Sequence, residues 1–244
     1  MASKKGAMRS TTLSDARKMG LYPSVTTIMR LLDKPNLTAW RIEQAVLSAL
    51  TLPATPGESL DDRARRIVKD ADEQVTKASA LGHLVHDAIE EYVTKGCLLY
   101  PDPKVHNLIK TFIEWWNHNC TKLHYAEKTV VHAGYGYAGR LDCKAEIKGR
   151  GICIIDFKCR KPSKDGGRCY PEDAMQLSAY KEADALTSPN TPETCLSIIL
   201  NSEEPGLFVK EWPKDEIIHS FECFRRLCDL WKCLKKYDPT CFQK

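Results

Sequence analysis

Two short segments constrain this chain more than any others: Ala138-Gly139-Arg140-Leu141-Asp142-Cys143 and Ile154-Ile155-Asp156-Phe157-Lys158. The second is an apolar run with two charges set into its end. Side chains alternate between the faces of a strand, so Asp156 and Lys158 share one face while Ile155 and Phe157 take the other. A tight turn, Lys148-Gly149-Arg150-Gly151, separates the segments, which predicts an antiparallel hairpin. In that pairing Asp142 and Asp156 converge, and two close carboxylates repel unless a cation lies between them. A lysine beside such a cation can orient a water or offset charge on an oxyanion. The pattern points to a metal-dependent phosphodiester centre. The plain alternative is a surface hairpin with a solvated Asp–Lys pair, and the rest of the chain decides between them.

The segment 1–20 is basic, carries Ser and Thr, and has Asp15 as its one acid. It is expected to be a flexible basic tail, and a mitochondrial-type targeting segment has similar composition. Ser24 or Thr26 caps a first helix, with Ile28, Leu31 and Leu32 as its apolar stripe. Pro35 and Asn36 break the run, and a second helix continues through Trp40 to about residue 50. A loop follows over 51–59, then a long helix over about 60–94. Near its end Leu81, Leu84, Val85, Ala88, Ile89 and Tyr92 share one face. His83 points away from that face, whereas His86 lies roughly 120° round, at its boundary. Val105, Leu108, Ile109, Phe112, Ile113 and Trp116 make another amphipathic helix. The period then changes to that of strands: 122–131 with Glu127, 135–147, and 151–158. A basic loop, 159–168, starts beside the two charges. Pro171, Glu172 and Asp173 suit the first turn of a helix to about residue 186, on which Gln176 and Tyr180 are four apart and share a face. Two more strands, 195–200 and 207–211, precede a last helix opened by Pro213.

The chain has 244 residues with a formal net charge of +4, enough for one sizeable core and permissive of nucleic-acid binding without requiring it. No apolar run approaches membrane-spanning length. Its 11 cysteines are scattered, with no small-domain disulfide pattern, and no secretory signal is visible. They read as reduced thiols of an intracellular protein. Cys223, Cys228 and Cys233 step round a helix by roughly 140° each, so they do not converge as cluster ligands would.

The order is a helix with His, a strand with Glu, a strand with Asp, a strand with Asp-x-Lys and a helix with Gln-x-x-x-Tyr. This order resembles the PD-(D/E)XK nuclease superfamily, in its RecB-like and RecE-like exonuclease branch, which includes phage-type and mitochondrial genome maintenance exonucleases. The resemblance covers roughly residues 80–200, with a looser match at Pro23-Ser24-Val25-Thr26. Gly82-His83-Leu84-Val85-His86 resembles the Gly-x-x-x-His motif, Gly139-Arg140-Leu141-Asp142 the Gly-x-(Ile/Leu)-Asp motif, Ile155-Asp156-Phe157-Lys158 the (D/E)XK motif, and Gln176-Leu177-Ser178-Ala179-Tyr180 the Gln-x-x-x-Tyr motif. Cys159 departs from the Thr or Ser that commonly follows the lysine.

The resemblance implies an α/β fold with a central mixed sheet flanked by helices and an N-terminal helical addition. A single domain would run over 21–244, helical over 21–120 and catalytic over 121–244. It implies that His86, Asp142, Asp156 and the Phe157 carbonyl hold Mg²⁺, with Mn²⁺ able to substitute. Lys158 would orient the attacking water, and Glu127 would take a second metal or a water. Gln176 and Tyr180 would line the nucleic-acid path, Tyr180 stacking on a base or sugar. Arg140, Arg160 and Lys161 are candidate phosphate contacts. The implied activity is a DNA exonuclease of recombination, repair or replication, in the cytoplasm of a cell or phage host, or in mitochondria. A single-strand annealing or recombination protein would be a fitting partner. Polarity, DNA against RNA, and oligomeric state stay open. Rival readings are an endonuclease of the same fold, a non-catalytic nucleic-acid-binding module, and an iron–sulfur nuclease accessory to a helicase.

Overall fold

A computed structural model describes residues 11–99, 102–162 and 167–242. Its elements in chain order are helices α1 (Leu13–Met19), α2 (Val25–Met29), α3 (Pro35–Thr51), α4 (Leu60–Lys95), α5 (Pro103–Leu108) and α6 (Lys110–Asn119). Strands β1 (Cys120–His132), β2 (Tyr137–Ile147) and β3 (Gly151–Arg160) follow, then helix α7 (Pro171–Ala185). Strands β4 (Thr194–Asn201) and β5 (Leu207–Trp212), helix α8 (Lys214–Lys235) and a short 3₁₀ helix (Pro239–Phe242) come last. The five strands form one mixed sheet in sequence order. All neighbours are antiparallel except β3 and β4, which run parallel and are joined across α7. The expected α/β class, with a mixed sheet flanked by helices, is what the structure has.

Each face of the sheet carries its own core. On one face Leu141, Ile154 and Tyr137 pack with Val25 and Ile28 of α2, Leu177 and Ala183 of α7, and Phe224 and Trp231 of α8. On the other, Cys143, Ala145, Ile155 and Phe157 pack with Val85 and Ile89 of α4, Leu108 of α5 and Phe112 of α6. Alternation along β3 is regular: Ile155 and Phe157 face α4, while Lys158 bonds Gln176 of α7 on the opposite face. Along β2 the alternation breaks. Leu141 and Cys143 are two apart yet bury on opposite faces, so the strand is irregular at Asp142, between them.

Several local outcomes differ from the sequence reading. The second half of the expected tail forms α1, because Thr12 and Asp15 make a capping box. The Tyr237 hydroxyl ties it to the C-terminus, 3.0 Å from the Ala16 carbonyl and 2.9 Å from that of Leu21. Residues 1–10 lie outside the described residues, as do 163–166 of the basic loop. Pro35 opens α3 rather than breaking a run, since proline suits the first helical turn. The helix expected over 105–116 is two, parted at Ile109, where ψ rises to 0°. Ser24 caps α2, its hydroxyl accepting from Thr27 N–H at 3.1 Å. Among the described residues no helix is long and apolar enough to cross a membrane.

Candidate metal and phosphodiester site

The site forms where strands β1, β2 and β3 part. β2 and β3 are paired from Ile147–Gly151 up to Cys143–Ile155. The next pair would set Asp142 directly against Asp156. Instead the strands diverge, and the Phe157 N–H is satisfied by the Asp142 side chain, Oδ2 at 2.8 Å. On the other side of β2 the pairing steps from Ala126–Cys143 to Lys128–Leu141. Glu127, between them, adopts φ 51°. A left-handed backbone at a residue other than glycine costs on the order of 1–3 kcal/mol and persists where surrounding structure imposes it.

The structure brings together His86, Glu127 and Asp142, one ligand atom from each lying within 4.8 Å of the others. Asp156, expected as a metal ligand, stands outside this trio because Lys158 claims it. Lys158 Nζ is 2.7 Å from both Asp156 oxygens, with hydrogen-bonding geometry to Oδ1. Oδ2 is buried with no hydrogen-bond partner among the described residues. The Phe157 carbonyl, also expected as a ligand, is 2.6 Å from His86 Nε2 and accepts its hydrogen.

That bond fixes the imidazole. A carbonyl only accepts, so Nε2 carries the hydrogen and Nδ1 presents a lone pair. Burial holds the His86 pKa below the ordinary imidazole value, against the pull of Asp156, so the ring is neutral at pH 7. Its Nδ1 faces Asp142 Oδ2 at 3.8 Å. At that distance the two atoms face each other without a direct hydrogen bond. Burial first, then the charge of Asp156, pushes the Asp142 carboxyl well above the usual carboxylate range. Burial likewise raises Glu127, helped by Glu90 and Asp87, against Arg140. Carboxyls held up in this way ionise when a cation arrives. One nitrogen and several oxygens fit Mn²⁺ or Mg²⁺.

Behind the trio runs a chain of side chains. Lys158 Nζ donates to Gln176 Oε1 at 3.2 Å, and Gln176 Nε2 donates to the Tyr180 hydroxyl at 3.2 Å. Tyr180 does not line a nucleic-acid path as expected. It is 4% exposed, and its ring lies on Gly139, where a Cβ would drive into it. That close approach is why the Gly-x-Leu-Asp segment needs glycine there. Arg160 is likewise unavailable as a phosphate contact. It forms a bidentate pair with Asp173, at 2.6 and 2.7 Å, and also bonds the Arg168 carbonyl. Its pKa is raised, since Asp173 outweighs the opposing effect of burial. Arg140 is exposed but pairs with Glu127 at 2.5 Å. Lys161, 67% exposed on its side chain, pairs with Glu203 at 3.1 Å and is the freest of the three.

A second polar cluster escaped the sequence reading. Lys144 and Asp184 are both fully buried and lie 2.6 Å apart. Lys144 also bonds Ser188 at 2.8 Å and the Asn190 carbonyl at 2.5 Å, and Asp184 accepts from Tyr125 and, at 3.2 Å, from Lys128. The signal was present. Asp184 is eight residues from Gln176 and four from Tyr180, on the same helical face, and Lys144 follows Asp142 at strand spacing.

No family model and no curated protein matches the chain. Among solved structures, a protein from Eubacterium rectale with a provisional exonuclease assignment aligns at TM-score 0.44 and 12% identity, over 64% of this chain and 68% of its own. The protein SSO0001 aligns at TM-score 0.36 and 15% identity, over 81% of this chain and 86% of its own.

Proposed function

We propose that this protein is a metal-dependent DNA exonuclease. The reading rests on one observation above the others: His86 Nδ1 and the Asp142 and Glu127 carboxyls converge within 4.8 Å of one another, with His86 Nδ1 3.8 Å from Asp142 Oδ2, beyond direct hydrogen-bond reach. A divalent cation is the occupant that such a set of acceptors asks for. His86, Glu127 and Asp142 would hold it, with Asp156 Oδ2 adjoining. When bound, it would supply a lowered pKa for a water and neutralise the scissile phosphate.

The chain's own residues supply the rest. Burial lowers the Lys158 pKa, but Asp156 and Asp142 outweigh it and hold the amine above its ordinary value. Lys158 is therefore an ammonium and a donor, not a base. Of its three protons, Asp156 and Gln176 take two. The third has no hydrogen-bond partner among the described residues and would meet a water or a phosphoryl oxygen, since the side chain is 20% exposed. Lys158 thus steadies charge as the phosphorane forms. Asp156 and Gln176 hold its amine in place.

The requirement for a DNA end, and a role in recombination, repair or replication, rest on the resemblance of the sequence motifs. Linear end-labelled single- and double-stranded DNA, with a closed circle beside it, tests both parts in Mg²⁺ and in EDTA. Loss of linear DNA in Mg²⁺ alone, with the circle spared, is the expected result. Cutting of the circle would make the enzyme an endonuclease. No cutting in either metal condition would overturn the reading.

A further inference from the structure

α3 and the first half of α4 are built inside out. α3 packs chiefly on α4, as an antiparallel hairpin joined by Arg41–Asp72 at 2.9 Å and Ser48–Asp70 at 2.7 Å. Ser48 is the one buried residue of α3, and Ala71 the one buried residue of α4 before Val85. The large apolar side chains point outward instead. Ile42, Val46 and Leu50 are spaced by four and share a face turned about 160° from Ser48 at its midpoint. They are 60%, 52% and 78% exposed. Leu60, Ala64 and Val68 make a matching exposed stripe on α4. The stripes adjoin, since Ile42, Ala45, Val68 and Ala71 line one groove between the helices.

A two-helix unit whose only fully buried residues are a serine and an alanine, with Trp40, Ala45, Ile67 and Val75 half-buried, gains little from its own packing. We infer that this apolar face is the contact through which two copies of the chain associate, hairpin against hairpin, as a four-helix bundle. Size and charge favour a second copy. Two helices about 10 Å apart over about 25 Å present a face of roughly 500 Å² in projection, so two copies would cover about 1,000 Å² together, the lower bound for a specific interface. A flat pair of antiparallel helices matches a flat pair of antiparallel helices. Its rim carries both signs, Arg65 and Lys69 beside Asp72 and Glu73. Such a balanced rim accepts its own copy. It repels neither sign strongly, and its acids make it a poor surface for nucleic acid or an anionic membrane.

Sedimentation equilibrium of the full chain at about 50 µM, well above a micromolar dissociation constant, tests this. The expected result is a mass of two chains. Val46→Asp and, separately, Leu50→Asp place a charge in the contact and are expected to weaken association at least about a hundredfold. Both positions are exposed in the single chain, so the far-ultraviolet circular dichroism should be unchanged. A monomeric wild type, a stoichiometry other than two, or a dimer unmoved by both substitutions would overturn the inference.

Discussion

Two lysine–aspartate pairs lie under the same helix, on the same face of the same sheet, and they are opposites. Lys144 of β2 meets Asp184 near the end of α7, and Lys158 of β3 meets Asp156 beneath Gln176, nearer its start. Lys144 gives its three protons to Asp184, Ser188 and Asn190, and both Asp184 oxygens are bonded. Among the described residues Lys158 has two hydrogen-bond partners for three protons, and Asp156 Oδ2 accepts no hydrogen bond although the ammonium lies 2.7 Å away. Burying a charge pair is tolerated where every donor and acceptor finds a partner. Completed, such a pair clamps α7 to β2. The other pair, beside His86, Glu127 and Asp142, keeps an acceptor without a hydrogen-bond partner among the described residues. The two pairs share their residue types and differ in their unmet valences and in the exposure of the lysine side chain, nil at Lys144 and 20% at Lys158.

Exchanging the roles of the two lysines by substitution is the strongest way to break the comparison. Lys158→Met should lower cleavage by about 10²–10³-fold, the scale on which a single transition-state charge contact acts. Urea unfolding in Mg²⁺ should show the fold retained. A variant with more than about a tenth of wild-type cleavage would remove Lys158 from the chemistry.

Lys144→Met should do the reverse. It leaves Asp184 buried with part of its partners gone, and breaking a buried pair from one side costs about 3–5 kcal/mol. Urea unfolding should register that loss, while turnover per folded molecule stays within a few-fold of wild type. Equal loss of turnover from Lys144→Met and Lys158→Met would mean that the pairs are not distinct.

This contrast shows what a sequence displays and what it conceals. The site's components were legible because each sits on an element with a clear period. His86 lies on the boundary of a helical face, Asp156 and Lys158 on alternate strand positions, and Gln176 four residues before Tyr180. Their bonding was not legible. Nothing local says that Asp142 would satisfy the Phe157 N–H, or that Glu127 would turn to φ 51° and enter the ligand trio in place of Asp156. Both accompany the parting of the strands, which is a tertiary event. The same limit explains Tyr180 and Arg160. Exposure was assumed from their chemistry, but Gly139 lets one ring in and Asp173 captures the other side chain. The Lys144 cluster was missed because its members lie up to about 65 residues apart.

The two aspartates should also respond to pH in opposite directions when the protein is kept in EDTA. The Asp142 carboxyl is raised in the folded chain, by burial and then by Asp156. The stability it lends is full below the unfolded value of about 3.9 and is lost as pH rises through the folded value. Burial pushes Asp184 up too, but the hydrogen bonds from Lys144, Tyr125 and Lys128 together outweigh it, so its pKa is lowered. Its contribution is full above about 3.9 and lost as pH falls through the depressed value. Unfolding curves from pH 3 to 8 should show Asp142→Asn gaining stability towards pH 8. Asp184→Asn should lose stability at pH 7 and show less further loss in acid. Parallel pH profiles for the two variants would erase the distinction.

The smallest expected effect discriminates most finely, because it separates holding the lysine from holding the nucleic acid. Tyr180 reaches Lys158 only through Gln176, its hydroxyl accepting from Gln176 Nε2. Tyr180→Phe removes that acceptor and keeps the ring on Gly139. One hydrogen bond of this kind is worth about 0.5–1.5 kcal/mol, so kcat should fall by about two- to tenfold. The ring itself is covered, so affinity for DNA should not change. A stacking ring would give the opposite result: phenylalanine stacks as well as tyrosine, so kcat would hold, and only Tyr180→Ala would weaken binding. A fall in kcat with Kd unchanged in Tyr180→Phe therefore places Tyr180 behind the lysine, as the far anchor of the arm that aims it.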